Sequence, residues 1–271
     1  MKFLYGKQDM RTLSRAQENT FLLTNGLGGY MSVTSAFSAP RADQGVLVAA
    51  VKAPNERINM VHRLSETLKI GGEEVYLSTQ EFADKSPVED GYRHLACFSY
   101  EYTPCWTYNV SGVQVVRRCA MAYGKNAAAV LYTIENRSES PCILRIEPFF
   151  KFAPKEHALE EKQKLTYSDG QIKSGDYTLY MNADAVVKEI TPRWQTLAYT
   201  EDEKDGRPEM GLAGSCCVVR KTVMPGERET IEIIFSLEDE KLDAETMLKQ
   251  QEERLRELES SGGMSDPVAR Q

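Results

Sequence analysis

Short apolar segments separated by turn residues cover the chain from about residue 20 to residue 236. Three pairs of segments are joined by two-residue turns typical of tight hairpins: Gly71-Gly72, Ser111-Gly112 and Asp169-Gly170. Two longer segments, Ala127–Ile134 and Cys142–Phe150, are rich in apolar and aromatic residues, as central strands are. We therefore predict an all-β fold, a large sandwich of two antiparallel sheets packed face to face.

The pattern changes after residue 238. The segment Lys241–Glu259 contains neither Gly nor Pro, and its leucines fall roughly on one face of a helix. We predict a helix here, with Glu238 or Asp239 beside its positive N-terminal end and Ser260-Ser261-Gly262-Gly263 ending it. Residues 1–238 are expected to form the sandwich domain. Residues 239–271 are expected to form a linker helix and the start of a catalytic domain that is missing from this chain.

Charge and composition exclude several classes of partner. The chain of 271 residues is 41% hydrophobic and 27% charged, with a formal net charge of -7, so it lacks the basic stripe that contacts nucleic-acid phosphates. No segment is long and apolar enough to span a bilayer, and the N-terminus lacks an apolar run of signal-peptide length. The six cysteines form no C-x-x-C pair. This excludes a zinc ribbon and favours buried, reduced thiols in a cytoplasmic protein.

The most distinctive local feature is the glycine cluster Thr24–Tyr30 (TNGLGGY). It is not a dinucleotide-binding fingerprint, because Met31 occupies the place of the third glycine and a strand-like segment follows. It is not a phosphate-binding Walker loop, because no Gly-Lys-Ser/Thr follows. Two interpretations stay open. The cluster is either a tight turn that needs positive φ angles, or a loop whose backbone closely approaches a sugar or a neighbouring domain.

Other residue types give little support for catalysis. The histidines at positions 62, 94 and 157 lie far apart and lack metal-ligand spacing, and no G-x-S-x-G motif is present. Carboxylates are plentiful, but the sequence does not show which of them face each other. No catalytic residue, metal ligand or cofactor is therefore predicted. Trp106 and Tyr108 share one face of a strand, where they either stack on a sugar or pack in the core.

Five sequence blocks resemble the N-terminal domain of bacterial and archaeal glycogen debranching enzymes (amylo-α-1,6-glucosidases). The blocks are Phe21–Tyr30, Gly45–Ala49, Leu64–Leu68, Asp90–Leu95 and Trp106–Tyr108. Their order and spacing match the family from about residue 18 to residue 152, and the likeness is weaker over the rest of the chain.

The resemblance implies a supersandwich of the kind that precedes an (α/α)-barrel in several amylolytic families, with the catalytic carboxylates in the barrel. The family reaction would be hydrolysis of α-1,6-linked glucose at branch points by a general acid and a general base. By this resemblance the chain is an accessory domain that positions an α-glucan. Its partners would be the glucan and the catalytic barrel of the same protein, and the segment Lys241–Glu259 would be the linker helix between them.

One block departs from the family. Members of the family usually carry the run Arg-Arg-Tyr-His-Gly-Leu-Leu after the glycine cluster, whereas this chain has Arg41–Leu47 (RADQGVL). The second arginine, the tyrosine and the histidine are replaced by Ala42, Asp43 and Gln44. If the run helps to shape the glucan site or the domain interface, the substrate preference has shifted.

The resemblance selects nine residues as substrate-binding or domain-interface candidates. They are Asn25, Gly26, Gly28, Gly29 and Arg41 in one predicted loop system, Asp90, Tyr92 and Arg93 in a second, and Trp106. Arginine and aspartate each bind vicinal hydroxyls at two points, although an Arg–Asp pair can equally hold two loops together. Two other functions stay open: a purely structural module, and a stand-alone mutarotase or epimerase with His94 beside Glu101 or Asp90 in one cleft.

Overall fold

A computed structural model describes residues 2–52, 55–84 and 88–261. The strands are, in chain order, β1 (Phe3–Gly6), β2 (Thr20–Thr24), β3 (Tyr30–Thr34), β4 (Gly45–Lys52), β5 (Glu56–Ile70), β6 (Glu73–Tyr76), β7 (Thr79–Gln80), β8 (Glu89–Asp90), β9 (Leu95–Tyr100), β10 (Pro104–Val110), β11 (Val113–Met121), β12 (Ala127–Asn136), β13 (Cys142–Pro154), β14 (Thr166–Ser168), β15 (Gln171–Ser174), β16 (Tyr177–Ala183), β17 (Val186–Ala198), β18 (Met210–Val223) and β19 (Arg228–Ser236). Three helices accompany them: α1 (Leu13–Gln17), α2 (Thr200–Lys204) and α3 (Ala244–Ser261).

Within the described residues the strands form two large antiparallel sheets and one small hairpin. The first sheet has nine strands in the order β1-β9-β10-β11-β12-β19-β16-β15-β14. The second has eight, in the order β17-β18-β13-β5-β4-β3-β2, with β6 added beside β5. Strands β7 and β8 pair with each other. The predicted two-sheet antiparallel β-sandwich is confirmed.

The three predicted hairpin turns are also confirmed. Gly71-Gly72 joins β5 to β6, Ser111-Gly112 joins β10 to β11, and Asp169-Gly170 joins β14 to β15. Both residues of each turn have positive φ. This is the backbone geometry of a type I′ turn, whose twist matches that of the flanking strands.

The main core lies between the two sheets. Alternate residues of β11 and β12, such as Val115 and Val130, meet residues of β5 and β13, such as Leu68 and Ile146, in one apolar cluster. Inside this cluster, Arg117 of the first sheet pairs with Glu66 of the second, and neither side chain is exposed to solvent. This buried ion pair links the two sheets.

Helix α3 covers the outer face of the first sheet, but its details differ from the prediction. It begins at Ala244, three residues later than expected. The cap is Asp243 and not Glu238 or Asp239, because the Thr246 backbone N–H donates to Asp243 Oδ1 at 2.6 Å. The buried face is formed by Ala244, Met247, Leu248 and Gln251, whereas Leu258 is exposed. The helix runs to Ser261 and so includes the first two residues of the predicted stop segment. Residues 262 and 263 lie outside the described residues.

All six cysteines are free thiols, and Cys119, Cys142, Cys216 and Cys217 are buried. Among the helices of the described residues, none combines the length and the apolarity that crossing a membrane requires. In the same residues, no group of three or more His, Cys, Asp or Glu side chains is arranged to hold a metal ion.

Candidate functional site

A groove of about 400 Å³ lies on the outer face of the second sheet, at its β2–β3 edge. Strand β2 explains its position: Phe21 and Leu23 point into the core, so the alternate residues Leu22 and Thr24 face outward. We call this site the β2–β3 groove. It is lined by Leu22, Thr24, Gly28, Gly29, Tyr30, Ser32, Asp43, Arg57 and Lys155.

The glycine cluster forms the turn between β2 and β3 and one wall of the groove. Gly26 and Gly28 have φ angles of 79° and 97°, which a residue with a side chain rarely adopts. Gly29 is required for a different reason, because a Cβ atom there would lie 2.6 Å from Asn25 Nδ2. The tight-turn interpretation is therefore confirmed for Gly26 and Gly28, and Gly28 and Gly29 also line the groove.

Asn25 fixes this turn from within. Its Oδ1 accepts hydrogen bonds from the backbone N–H groups of Leu27 and Gly29, both at 2.9 Å. Its Nδ2 donates to the Lys125 carbonyl at 2.9 Å and to Asn126 Oδ1 at 3.0 Å. The side chain of Asn25 is thus fully engaged inside the protein, where it ties the glycine turn to the connection between β11 and β12.

The segment Arg41–Gln44 contributes Asp43 to the groove and is held against α2. Arg41 Nη1 pairs with Asp202 Oδ1 at 3.1 Å and with Asp205 Oδ2 at 2.5 Å, and Asp202 Oδ2 accepts from the Ala42 backbone N–H at 2.7 Å. Arg41 therefore holds two segments together, as one of its two predicted roles required. Its acidic partners are on α2, and Arg41 does not line the groove.

Asp43 joins the groove to a smaller recess. The Tyr30 hydroxyl donates to the Asp43 carbonyl at 2.5 Å, and burial, with a further contribution from the Asp43 carboxylate, raises the pKa of Tyr30. The Asp43 carboxylate lies 3.5 Å from Arg207 Nη1. Asp43 also lines an adjoining recess of about 190 Å³ with Glu156 and Arg207. Asp43 is thus a lining residue of both spaces.

A buried polar cluster lies beneath the Arg41–Gln44 segment. Lys151 Nζ donates to the Ala42 carbonyl at 2.8 Å, and Asn59 Nδ2 donates to the Gln44 carbonyl at 2.7 Å. The His62 ring stands edge-on to Tyr199. Burial lowers the pKa of Lys151 to about 8, although the negative charges of Asp43 and Asp202 act to raise it. Burial, together with the nearby positive charge of Lys151, also lowers the pKa of His62. The cluster thus contains a lysine that titrates near neutral pH.

The shifted pKa of Lys151 gives a pH-dependent stability. Between about pH 8 and the unfolded-state pKa of about 10.4, the unfolded chain binds more protons at this site than the folded chain, so the free energy of unfolding rises with pH. Relative to Lys151→Met, which cannot titrate, the wild type should gain up to about 3 kcal/mol between pH 7 and pH 10.5. Urea titrations of both proteins at each pH measure this difference. A difference that does not change with pH would contradict the assignment.

The second predicted loop system lies apart from the groove. Asp90 Oδ2 pairs with Arg93 Nε at 3.3 Å, both side chains are largely exposed, and the Tyr92 backbone N–H donates to Thr79 Oγ1 at 2.9 Å. None of these three residues lines the β2–β3 groove. The structure therefore does not bring the two predicted loop systems into one site.

Trp106 occupies the main core. Its side chain is fully buried against Phe21, Phe37 and Phe98, and its Nε1 donates to the Ser35 carbonyl at 2.9 Å. No part of the ring is available to stack on a sugar. Of its two predicted roles, core packing is the one that this burial favours.

The geometry also bears on the mutarotase alternative. In the part of the chain that the structure describes, no hydrogen bond or ion pair joins His94 to Glu101 or to Asp90, and Asp90 pairs with Arg93. His94 contributes its backbone N–H to the Gly91 carbonyl at 2.9 Å. The pairing that this alternative needed is therefore not formed.

Sequence reasoning missed seven of the nine groove residues: Leu22, Thr24, Tyr30, Ser32, Asp43, Arg57 and Lys155. Tyr30 lies in a block that resembles the family, and Asp43 lies in the run that departs from it. Their positions in these segments could have identified them as site candidates. Arg57 and Lys155 are far apart in sequence and meet because the Lys155 backbone N–H donates to the Arg57 carbonyl at 3.1 Å. No local motif marks this contact.

Comparisons with solved structures give distant likenesses to carbohydrate-active proteins. A human-microbiome protein assigned as a kojibiose phosphorylase has 11% identity and a TM-score of 0.42, covering 97% of this chain and 36% of its own. An Escherichia coli K12 protein assigned as an aldose 1-epimerase has 12% identity and a TM-score of 0.41, covering 80% of this chain and 98% of its own. A bacterial glucoamylase, solved with acarbose, has 10% identity and a TM-score of 0.33, covering 90% of this chain and 35% of its own. These likenesses are too distant to assign an activity.

Sequence comparison is more decisive. No curated protein matches the chain significantly. The profile of the family described as "Glycogen debranching enzyme N terminal" matches residues 19–230, which is most of the chain. The matched region contains the glycine turn, the Arg41–Gln44 segment and every residue that lines the β2–β3 groove. The chain belongs to the glycogen debranching enzyme N-terminal family.

Proposed function

We propose that this domain binds an α-glucan chain in the β2–β3 groove and positions it for a catalytic (α/α)-barrel domain of the same protein. The observation that carries the proposal is that two segments of the family match, the glycine turn and the segment containing Asp43, line the same groove. The reaction of the complete protein would be hydrolysis of α-1,6-linked glucose. Its general acid and general base would come from the catalytic domain.

The chemistry of the groove suits a sugar. The Asp43 carboxylate can accept hydrogen bonds from sugar hydroxyls, and Arg57 and Lys155 can donate to sugar oxygens. Leu22 and the ring of Tyr30 offer apolar surface to the C–H face of a pyranose. Because Asp43 lines both the groove and the smaller recess, it can contact sugars in either space, which suits a chain of several sugars better than a single monosaccharide.

Further features agree with this role. Helix α3 follows the last strand of the sandwich and lies against the first sheet, so it is a suitable linker to a catalytic domain. We therefore keep the division into a sandwich domain over residues 1–238 and a linker from residue 239. Six free cysteines, four of them buried, suit a reducing cytoplasm.

A purely structural role is the second candidate, and a specific observation favours it. Asn25, Arg41 and Trp106, three of the residues selected by the resemblance, are all engaged in contacts within the domain. A module that only stabilises the catalytic domain would need these contacts and no sugar. Binding measurements separate the two functions.

The proposal is tested by isothermal titration of the chain with a linear maltooligosaccharide. We expect millimolar to micromolar binding, and Asp43→Ala should weaken it by about tenfold, or about 1.4 kcal/mol, through the loss of a carboxylate acceptor. The matched control is Glu253→Ala, since Glu253 is an exposed carboxylate on α3, against the other sheet. Absence of binding by the wild type, or an equal effect of both variants, would favour the structural role.

A further inference from the structure

Arg57 is the one groove side chain whose charge has no partner among the described residues. Its Nε atom is buried from solvent, and its N–H donates to no hydrogen-bond partner. Elsewhere in the protein, Arg41, Arg63 and Arg117 each pair with a carboxylate. Because an unsatisfied buried donor costs about 1–3 kcal/mol, a guanidinium in this state favours a ligand that can accept from it.

Lys155 brings a second positive charge to the same end of the groove. The backbone hydrogen bond from Lys155 to Arg57 places the two residues side by side, and both side chains line the groove. Lys155 Nζ pairs with Glu156 Oε1 at 2.7 Å, but the Glu156 side chain is 72% exposed. An exposed ion pair of this kind contributes about 0–1 kcal/mol, so Lys155 can exchange Glu156 for a ligand at little cost.

The other wall of the groove limits how much negative charge it accepts. Asp43 lines the same groove as this pair, and its carboxylate is 3.5 Å from Arg207 Nη1. The charge of Arg57 opposes the rise in the pKa of Tyr30 while the charge of Asp43 contributes to it, so charges of both signs act on the Tyr30 hydroxyl. The groove is therefore polarised, with one cationic end.

We propose that the Arg57–Lys155 end of the groove binds a phosphate monoester carried by the glucan. The inference rests on the proposed function and names the class of glucan that the groove prefers. A guanidinium presents two parallel N–H donors to two phosphate oxygens, and a lysine adds a point charge. The pair offers two positive charges to a group that carries nearly two negative ones. The Asp43 carboxylate repels a second anionic group, so the sugars beside it should be unmodified.

The test compares a maltooligosaccharide that carries one phosphate monoester with the same oligosaccharide without it. The wild type should bind the phosphorylated ligand at least about tenfold more tightly, with a preference that falls as salt is raised. Arg57→Gln should remove most of this preference, because it should weaken binding of the phosphorylated ligand by a larger factor than binding of the neutral ligand. Lys155→Ala should reduce the preference in part, and it tests the same proposal if Arg57→Gln does not fold. Lys249→Ala, at an exposed lysine on α3, is the matched control and should change nothing.

Three results would overturn the inference in distinguishable ways. Equal affinity of the wild type for both ligands removes the phosphate preference and leaves the proposed function standing. No binding of either ligand would overturn both the phosphate preference and the proposed function. Competition by inorganic phosphate as strong as that of the phosphorylated glucan, with no binding of the neutral glucan, would identify a site for free phosphate and would overturn both the glucan-phosphate assignment and the proposed function.

Discussion

Replacing Arg117 with methionine is expected to lower the free energy of unfolding by about 3–5 kcal/mol, because it leaves the Glu66 carboxylate buried without its counter-charge. Arg117 is fully buried between the sheets, where it also donates to the Tyr108 hydroxyl at 2.8 Å. Its guanidinium carbon lies 3.5 Å from the centroid of the Phe37 ring. One substitution therefore removes an ion pair, a hydrogen bond and a cation–π contact at the centre of the sandwich.

The control for Arg117 is Arg137→Met. Arg137 pairs with Glu135 at 2.8 Å through an exposed side chain, so its loss should change the free energy of unfolding by no more than about 0.5 kcal/mol. The double variant Arg117→Met with Glu66→Leu should recover part of the loss, because no unpaired charge then stays in the core. Denaturant titrations measure all three proteins. A loss for Arg117→Met as small as that for Arg137→Met would show that the pair contributes little.

Trp106→Ala is expected to lower the free energy of unfolding by about 3–5 kcal/mol, the usual cost of a large cavity in a packed core. The indole is fully buried, packs against the three phenylalanines at ring-centroid distances of 5.0–5.5 Å, and contacts the Arg117 guanidinium at 4.6 Å. The protein that stays folded should bind glucan as the wild type does, because the ring does not reach the groove. Calorimetric unfolding and glucan titration of the same sample measure both quantities.

The aromatic control for Trp106 is Tyr123→Ala. The Tyr123 side chain is largely exposed and contacts the Arg254 guanidinium at 4.2 Å on the surface, so its removal should cost about 1 kcal/mol or less. If Trp106→Ala instead kept its stability and lost glucan affinity, Trp106 would have to be a sugar contact. That result would contradict its position in the core.

Local rules predicted much of the fold correctly. The three hairpins followed from turn residues that tolerate positive φ, such as Asp169-Gly170, and the two-sheet sandwich followed from the number of apolar strands. The helix at the end was predicted from its pattern, but its start was wrong. Several acidic residues precede the helix, and only the packing of Met247 and Leu248 against the first sheet selects Asp243 as the cap.

The site was predicted less well, because its contacts join distant parts of the chain. The glycine turn was identified as a feature and its backbone does line the groove. Arg41, however, pairs with Asp202, which is 161 residues away, and Arg57 meets Lys155 across two strands. Neither pairing leaves a local sequence pattern. Gly28 and Gly29 of the first loop system line the groove, whereas Asp90, Tyr92 and Arg93 lie apart from it.

The departure at Ala42–Gln44 also needed the structure for its interpretation. Ala42 is buried in a small apolar cluster with Phe149 and Tyr199, and its carbonyl accepts a hydrogen bond from Lys151. An arginine at position 42 would put a second positive charge beside this buried lysine. Asp43, in contrast, faces the groove, so of the substitutions in this run it is the one placed to change what the groove binds.

The most direct measurement is glucose release from a branched α-glucan by this chain and by the protein encoded in its complete reading frame, each with and without Asp43→Ala. We expect the complete protein to release glucose and this chain alone to release none. Asp43→Ala in the complete protein should raise KM for the polymer by about tenfold and leave kcat unchanged, because a positioning contact outside the reacting atoms binds ground state and transition state alike. Turnover of a sugar by this chain alone, or an unchanged KM in the variant, would contradict a glucan-positioning domain.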